Sequence, residues 1–337
     1  MEDSAISSSG EVTLRTNGFS RSGYTFAGWA TSADGSAQYT NGQRITGLTS
    51  LTSDLNLYAK WTANSSDDSS SRSSSSSSTS SGNSTTKVST NSSGEKVTTT
   101  TTKQGTVTTV TQTTAKKDGS KEVVKTSTDS KTGKVTETKT TTKTDGSKEE
   151  VKTVTNKDGS KSVTETDTAA DKSQAIVETE VTAAGDVTIV TSTVNSSGTK
   201  TSEATYTATD EDTVKITNIE VTGKTVTIPA AVTAAGDKYK VTRIGAGALK
   251  GNDKVTKVVI GKNIKAIGAK AFADTPKLKT IVLQGAKVKS IGKGAFDGIN
   301  KKATIKIKGT AKQVKAVRKL IQKSGVAKTV KIKRVKK

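Results

Sequence analysis

Aliphatic residues recur at a nearly constant interval in the C-terminal part of the chain. Ile244, Ile267 and Ile291 are separated by 23 and then 24 residues. Three further sets keep the same offsets: Leu249, Phe272 and Phe296; Val258, Ile281 and Ile305; Ile260, Leu283 and Ile307. Each unit reads Ile-Gly-x-x-Ala-(Leu/Phe) and continues into a short strand and a turn. The apolar area that one such unit buries does not offset the conformational entropy lost in ordering it, so we expect about three units to stack as a solenoid.

Both ends of this stack carry a predicted cap. Upstream, residues Val226 to Pro229 begin a strand, and residues Tyr239 to Thr242 form another after a turn. Downstream, a predicted helix ends at Gly325, and residues from Val330 onward alternate with lysines as a last strand. The apolar face of the helix is formed by Val314, Val317, Leu320 and Ile321.

Residues 87–212 are rich in threonine and are interrupted by regularly spaced glycines. These are Gly94, Gly105, Gly119, Gly133, Gly146, Gly159, Gly185 and Gly198, mostly 13 or 14 residues apart. Asp118, Asp145 and Asp158 each begin the sequence Asp-Gly-Ser-Lys, which predicts hairpins with primed turns; residues 170–172 are expected to fill one missing turn. We expect an antiparallel meander of about nine short strands. Because the apolar content is low, a disordered segment is the alternative.

The N-terminal part of the chain has a different composition. Residues 1–63 contain seven of the eleven aromatic side chains, so we expect a small domain with these side chains in its core. A sugar-binding platform is the alternative role for Tyr24, Phe26, Trp29, Tyr58 and Trp61. Residues 64–86 are mostly serine and threonine, have nothing to bury, and predict a flexible linker.

The composition excludes several classes of protein. The 337 residues include no cysteine and no histidine, which removes disulfides, thiolate metal sites and the commonest general base. Only 30% of the residues are hydrophobic, too few for one core that spans the whole chain. No apolar run is long enough to cross a membrane, and the residues from Met1 to Ser4 do not begin a secretory signal.

Positive charge is concentrated near the C-terminus. The formal net charge is +22, and residues 238–337 hold 29 Lys and Arg against three acids. Three interpretations remain open: a solvated solenoid face, a site for anionic wall polymers or glycans, and non-specific nucleic-acid binding. Aromatic residues are not interleaved with the lysines, which argues against base stacking. The candidate polyanion contacts are Lys257, Lys262, Lys265, Lys279, Lys287, Lys289, Lys306 and Lys308.

Catalytic and cofactor motifs find no support in the sequence. The stretch from Gly245 to Leu249 resembles a dinucleotide loop, but its register repeats at Gly268, which identifies it as the solenoid turn. The acidic run Asp210-Glu211-Asp212 lacks the glycine and the downstream glutamate of a calcium loop. The pair Glu149-Glu150 lies on a predicted strand, where adjacent side chains face opposite ways. We therefore expect no enzyme activity, no cofactor and no metal.

Two stretches of the sequence resemble known families. The first joins Gly23-Tyr24-Thr25-Phe26-Ala27-Gly28-Trp29, Asp34-Gly35 and Leu55-Asn56-Leu57-Tyr58-Ala59-Lys60-Trp61. It resembles the Listeria–Bacteroides (internalin B-repeat) module over about residues 11–63. This resemblance implies a small ubiquitin-like, β-grasp-like domain of Gram-positive surface proteins. The strand and Gly-Gly that normally open the repeat are missing, so we expect an N-terminally truncated module.

The second stretch is similar to BspA-like leucine-rich repeats over residues 226–309. The motifs that carry the similarity are Ile267-Gly268-x-x-Ala271-Phe272 and Leu278-x-x-Ile281-x-Leu283. The resemblance implies a secreted or cell-surface bacterial protein, and many members of the family have adhesive roles. No ligand residue is carried over from it, and the sequence shows no wall-sorting motif or choline-binding repeat.

These observations predict a mainly β, multi-module protein. The expected modules are a truncated B-repeat-like domain (1–63), a Ser/Thr linker (64–86), a stalk of Thr-rich 13-residue β repeats (87–212) and a BspA-like leucine-rich repeat domain with caps (213–337). We expect a non-catalytic adhesion or binding protein at the cell surface or in the cell wall, without membrane insertion. Its expected partner is an anionic wall polymer, a glycan or a host protein. A purely structural spacer is the alternative, and a non-specific nucleic-acid binder comes third.

Overall fold

The computed structural model describes residues 12–14, 24–32, 37–40, 43–45, 56–63, 78–81 and 83–335. The chain divides into two compact units, residues 1–74 and residues 75–337. The described residues of the first unit form two antiparallel strand pairs. They are β1 (Val12–Thr13) with β3 (Arg44–Ile45), and β2 (Tyr24–Ala30) with β4 (Tyr58–Ala63).

Aromatic side chains form part of the core of the first unit. Phe26 packs edge-on against Trp29 and Trp61, with ring centroids 5.0 and 5.5 Å apart. Trp29 is only 3% exposed, which confirms the core role expected of it, whereas Tyr58 is exposed. The β-grasp-like arrangement depends on segments that include residues 15–23 and 46–55, which lie outside the described residues, so it stays a prediction.

The described part of the second unit contains strands β5 to β25 and one helix. The Thr-rich region holds β5 (Ser78–Ser81), β6 (Ser84–Thr90), β7 (Lys96–Gln104), β8 (Val107–Ala115), β9 (Lys121–Asp129), β10 (Val135–Thr142), β11 (Lys148–Thr155), β12 (Lys161–Thr168), β13 (Gln174–Val181), β14 (Val187–Val194) and β15 (Lys200–Asp210). There follow β16 (Thr213–Val221), β17 (Thr225–Ile228), β18 (Ala231–Ala234), β19 (Asp237–Ile244), β20 (Lys257–Ile260), β21 (Ala266–Ile267), β22 (Thr280–Leu283), β23 (Ser290–Ile291), β24 (Thr304–Lys308), α1 (Ala311–Lys323) and β25 (Lys331–Val335).

The Thr-rich region is an antiparallel meander, as the glycine spacing predicts. Strands β7 to β15 pair with their chain neighbours in an unbroken order, and the disordered alternative is not what the structure shows. The predicted linker differs from the structure in part, because β5 and the first residues of β6 lie within it and extend the sheet. Threonine is β-branched and suits a strand even where little apolar surface is buried.

The Asp-Gly turns of the meander are not of the predicted primed type. The Gly119 N–H donates to the Lys116 carbonyl at 3.1 Å, and the Lys116 N–H donates to the Ser120 carbonyl at 2.9 Å. Gly119 has a φ of 84°, but Asp118 does not have a positive φ, as a type I′ turn would require. The loop is therefore a type I turn closed by a glycine bulge, and the Asp118 carboxylate also accepts hydrogen bonds from the N–H and hydroxyl of Ser120. The missing glycine turn is filled as expected, with Lys172 at a φ of 72°.

The aspartates of these turns couple the stability of the meander to pH. Hydrogen bonds from the neighbouring serine hydroxyl and N–H lower the pKa of each turn aspartate: Asp118, Asp145, Asp158 and Asp171. A carboxylate with a lowered folded-state pKa stabilises the fold above its unfolded pKa of about 3.9, and the contribution disappears as the pH falls through the folded value.

We therefore expect the melting temperature of the meander to fall as the pH is lowered from about 5 to about 2. Circular dichroism melts of the full chain measure this fall. In a variant with all four aspartates changed to asparagine, the amide oxygen still accepts the serine bonds but does not titrate, so the acid-induced fall should be smaller. An equal fall in both proteins would contradict the assignment.

The meander and the solenoid share one continuous sheet. Strand β16 pairs antiparallel with β15 and parallel with β19, and β19, β21 and β23 continue the same sheet in parallel register. The opposite side of the solenoid is a five-stranded parallel sheet in the order β17-β20-β22-β24-β25. Strands β20, β22 and β24 correspond to the three predicted repeats, and β17 and β25 flank them.

The predicted repeat positions form the solenoid core. Leu249, Phe272 and Phe296 are buried, and the two phenylalanine rings stack with centroids 5.7 Å apart. The same core extends to Ile189 and Tyr206 of the meander, so side chains from both regions pack together. At Gly245, Gly268 and Gly292, one glycine per rung, the backbone lies so close to the preceding segment that a Cβ atom would clash with it.

Helix α1 closes the end of the solenoid, as the apolar spacing predicts. Thr310 caps its N-terminus in a reciprocal capping box with Gln313. Val314, Val317 and Ile321 are buried, and Leu320 packs against the core at intermediate exposure. Among the described residues, no helix is both long and apolar enough to cross a membrane.

Candidate functional site: a cationic groove

A groove lies where the last turn of the meander meets the short strands of the solenoid. Its volume is about 310 Å³, at the lower end of the usual range for small-ligand sites. The groove is lined by Asp210, Thr213, Thr242, Arg243, Lys265, Ala266, Lys289 and Ser290. Three of these residues are cations, and three carry hydroxyl groups.

The stacking of the rungs places the cations side by side. The Lys265 N–H donates to the Thr242 carbonyl at 2.7 Å, and the Lys289 N–H donates to the Lys265 carbonyl at 2.7 Å. Thr242, Lys265 and Lys289 therefore occupy the same position in consecutive rungs, about 4.8 Å apart along the stack. Arg243 lies one residue further on, in register with Ala266 and Ser290.

The three cations have no carboxylate partner within the described residues. None of the salt bridges found between residues 83 and 335 includes Arg243, Lys265 or Lys289. Asp210, the acid in the groove wall, accepts a hydrogen bond from the Thr213 hydroxyl at 3.3 Å. The groove therefore presents an excess of positive charge with hydroxyl donors beside it, an arrangement suited to carboxylate, sulfate or phosphate groups.

The groove residues include none of the side chains most often used as general bases or transition-metal ligands. The chain contains no histidine or cysteine, and the described residues contain no group of three or more acidic side chains that could hold a metal ion. The carboxylate beside a groove hydroxyl is that of Asp210, which accepts the hydrogen bond from Thr213. The cations and hydroxyl donors of the groove suit the binding of anionic groups.

The structure places two of the eight candidate lysines, Lys265 and Lys289, in this groove. Lys257 and Lys306 lie on strands of the five-stranded sheet, and Lys279 directly precedes β22. Lys262 and Lys287 lie in the connections between the two sheets, and Lys308 ends β24. Seven of the eight are exposed, and Lys308 is half-buried.

The sequence analysis missed Arg243 and the polar residues around it. A signal for Arg243 existed, because it precedes Ile244 as Ala266 precedes Ile267, and aligning the repeats would have placed it beside Ala266, the residue that follows Lys265. Asp210 and Thr213 could not be found in this way. They come from the β15–β16 turn, which no repeat position specifies.

A second basic row lies on the outer face of the five-stranded sheet. Lys306 is directly opposite Lys333 in the parallel register of β24 and β25. Two residues earlier on the same strands, Thr304 lies between Thr280 on β22 and Lys331 on β25. These lysines add to the positive charge of the solenoid surface.

Family comparisons match both ends of the chain. The model described as the Listeria-Bacteroides repeat domain matches residues 2–60. The model described as the BspA type leucine rich repeat region (6 copies) matches residues 237–317. Both resemblances inferred from the sequence are thereby confirmed. The meander lies between the two matched segments.

Solved structures similar to the chain are leucine-rich repeat proteins. A leucine rich cell surface protein from Faecalibacterium prausnitzii A2-165 is 27% identical, with 32% of this chain and 31% of that chain covered and a TM-score of 0.29. A leucine-rich repeat protein from Bacteroides capillosus ATCC 29799 is 22% identical, with coverages of 32% and 94% and a TM-score of 0.26. The T. pallidum leucine rich repeat protein is 23% identical, with coverages of 29% and 48% and a TM-score of 0.25.

The matched part is thus less than one third of the F. prausnitzii protein and about half of the T. pallidum protein. No curated protein matches the sequence.

Proposed function

We propose that this chain, which carries a Listeria–Bacteroides repeat domain and BspA-type leucine-rich repeats, is a non-catalytic binding protein of the bacterial cell surface. Its solenoid would capture an anionic polymer, either a wall polymer or a glycan or acidic protein of a host. The adhesive roles of many BspA-like proteins support this assignment by resemblance.

The cationic groove carries the proposal. Arg243, Lys265 and Lys289 are held close together by the stacking of the rungs, although no carboxylate of the described residues pairs with them. Mutual repulsion among such cations is relieved when an anion binds between them. The surrounding region, with 29 Lys and Arg against three acids in residues 238–337, would attract a polyanion from a distance and hold it through many weak contacts.

A structural spacer is the second candidate, and one observation favours it. The unbroken sheet from β5 to β23 joins the meander to the solenoid without a flexible joint at residue 212. In that case the lysines would only keep the protein soluble. Nucleic-acid binding has weaker support, because Phe272 and Phe296 are buried and cannot stack on bases.

Removing the groove cations is expected to weaken polyanion binding. In the variant R243Q/K265Q/K289Q, we expect affinity for a purified anionic wall polymer or heparin to fall by a factor of ten or more, since each charge-assisted contact contributes about 1 kcal/mol. Isothermal titration of the full chain at several salt concentrations measures this loss. Double-stranded DNA serves as the third polyanion.

A matched control removes the same charge elsewhere. The variant K254Q/K301Q/K302Q neutralises three exposed lysines outside the groove. The affinity of this control variant for the same polyanion should fall by less than threefold. Equal losses in both variants would show that net charge, and not the groove, determines binding. If the chain binds none of these polyanions at low salt, the structural spacer is the function that remains.

A further inference from the structure

The meander differs from the solenoid in how its strands are held. From β5 to β12, each described strand pairs only with its immediate chain neighbours. Most side chains on these strands are exposed or half-buried, and valines on both faces, such as Val107, Val110 and Val151, are more than a third exposed. The segment is therefore a single-layered sheet without a core of its own.

Short-range contacts supply most of the lateral cohesion in this sheet. Hydroxyl pairs bridge neighbouring strands, as between Thr86 and Thr100 at 3.2 Å and between Thr109 and Ser127 at 2.8 Å. Exposed ion pairs such as Lys139–Glu122 add little. In a chain of units that contact only their neighbours, stability is a sum of local terms, and units can open one after another.

The solenoid clamps the other end of the sheet. Glu165 on β12 accepts a hydrogen bond from the Ala235 N–H at 2.9 Å, which ties β12 to the β18–β19 hairpin. Val163 is 3% exposed, and from β14 onward Ile189 and Tyr206 belong to the solenoid core. The strands from β12 on are thus held by packing as well as by their ladder hydrogen bonds.

The order of the strands also determines how a pulling force acts. Tension between the N-terminal end of β5 and the solenoid reaches each strand at one end first. Hydrogen bonds then break singly, in sequence from Ser78↔Lys87 onward, and do not share the load. After β5, strand β6 is loaded from Ser84, at its turn with β5.

From this topology we infer that the meander is a force-extensible tether. Strands β5 to β11 unzip one at a time under tension, while β12 to β16 and the solenoid stay folded. Residues 78–155 release roughly 265 Å of contour length at about 3.4 Å per residue. The inference concerns the meander alone and does not depend on which ligand the solenoid binds.

Force spectroscopy of the full chain tests this inference. With handles on peptide tags at both termini, we expect a series of low-force steps, each releasing one strand and its turn, or roughly 45 Å for 13 residues. The steps should reverse on relaxation. Events from the solenoid and from the N-terminal unit should not change with the stalk variants described next.

A disulfide introduced into the meander identifies the steps. Thr138 and Lys152 are directly opposite on β10 and β11, and the chain has no cysteine of its own. In oxidised T138C/K152C, the disulfide shields residues 139–151 from tension. The low-force extension should therefore shorten by roughly 45 Å. Reduction of the same molecule should restore it.

A second bridge tests where unzipping stops. Glu180 and Thr188 are directly opposite on β13 and β14, beyond the clamp, and oxidised E180C/T188C should leave the low-force extension unchanged. A single cooperative event that unfolds meander and solenoid together would overturn the inference. So would a low-force extension that oxidation of T138C/K152C does not alter.

Discussion

Changing Phe272 to alanine is expected to lower the free energy of unfolding of the solenoid by about 3–5 kcal/mol. Phe272 is fully buried and stacks on Phe296 at 5.7 Å, so truncation removes apolar contacts and leaves a cavity between two rungs. Both tryptophans, Trp29 and Trp61, lie in the first unit. Hydrogen exchange of the solenoid peptides is therefore the suitable measurement, and tryptophan fluorescence is not.

The neighbouring rung suggests the control for this variant. Leu249 occupies the position equivalent to Phe272 one repeat earlier and is equally well buried. The variant Phe272→Leu should therefore lose clearly less stability than Phe272→Ala. If alanine and leucine cost the same, the ring would not be filling the space assigned to it.

Changing Gly292 to alanine is expected to destabilise the solenoid by about 3 kcal/mol or more. A Cβ atom at this position would lie 2.3 Å from the Ala269 nitrogen and 2.6 Å from its Cα. Both atoms belong to the backbone of the preceding rung, so the clash is relieved only if the rungs separate. Denaturant titration followed by far-ultraviolet circular dichroism, together with hydrogen exchange of β21 and β23, measures the loss.

Gly223 offers the matched control. A Cβ atom there would meet nothing within 4 Å, and its φ is outside the left-handed region. Gly223→Ala should change the free energy of unfolding by no more than about 0.5 kcal/mol. A mild effect at Gly292, similar to that at Gly223, would show that the rungs tolerate a wider spacing than the structure has.

Local periodicity made much of the fold predictable. The recurrence of Ile244, Ile267 and Ile291 was sufficient to predict stacked rungs, because a period of 23 or 24 residues places equivalent side chains above one another. The glycine spacing predicted the hairpins for a similar reason, since each turn closes between neighbouring segments. The primed type predicted for the Asp-Gly turns was wrong, because Asp118 does not adopt the positive φ that a type I′ turn requires.

Non-local pairing was beyond the sequence analysis. The boundary expected at residue 212 is bridged by β16, which pairs with β15 on one side and with β19 on the other. No local pattern indicates this parallel pairing. For the same reason, Lys265 and Lys289 were recognised as candidates, but their grouping with Arg243 was not, because the groove exists only once the two regions share a sheet.

The outermost strand of the solenoid, β25, has a consequence for self-association. Its sequence Lys331-Ile332-Lys333-Arg334-Val335 leaves one edge of a parallel sheet without a further strand in the described chain. A second copy that docked there would bring its own cations against three like charges and would have to strip water from them. The positive charges of β25 therefore oppose the pairing of this edge with another copy. They disfavour the growth of filaments through this strand, even at high protein concentration.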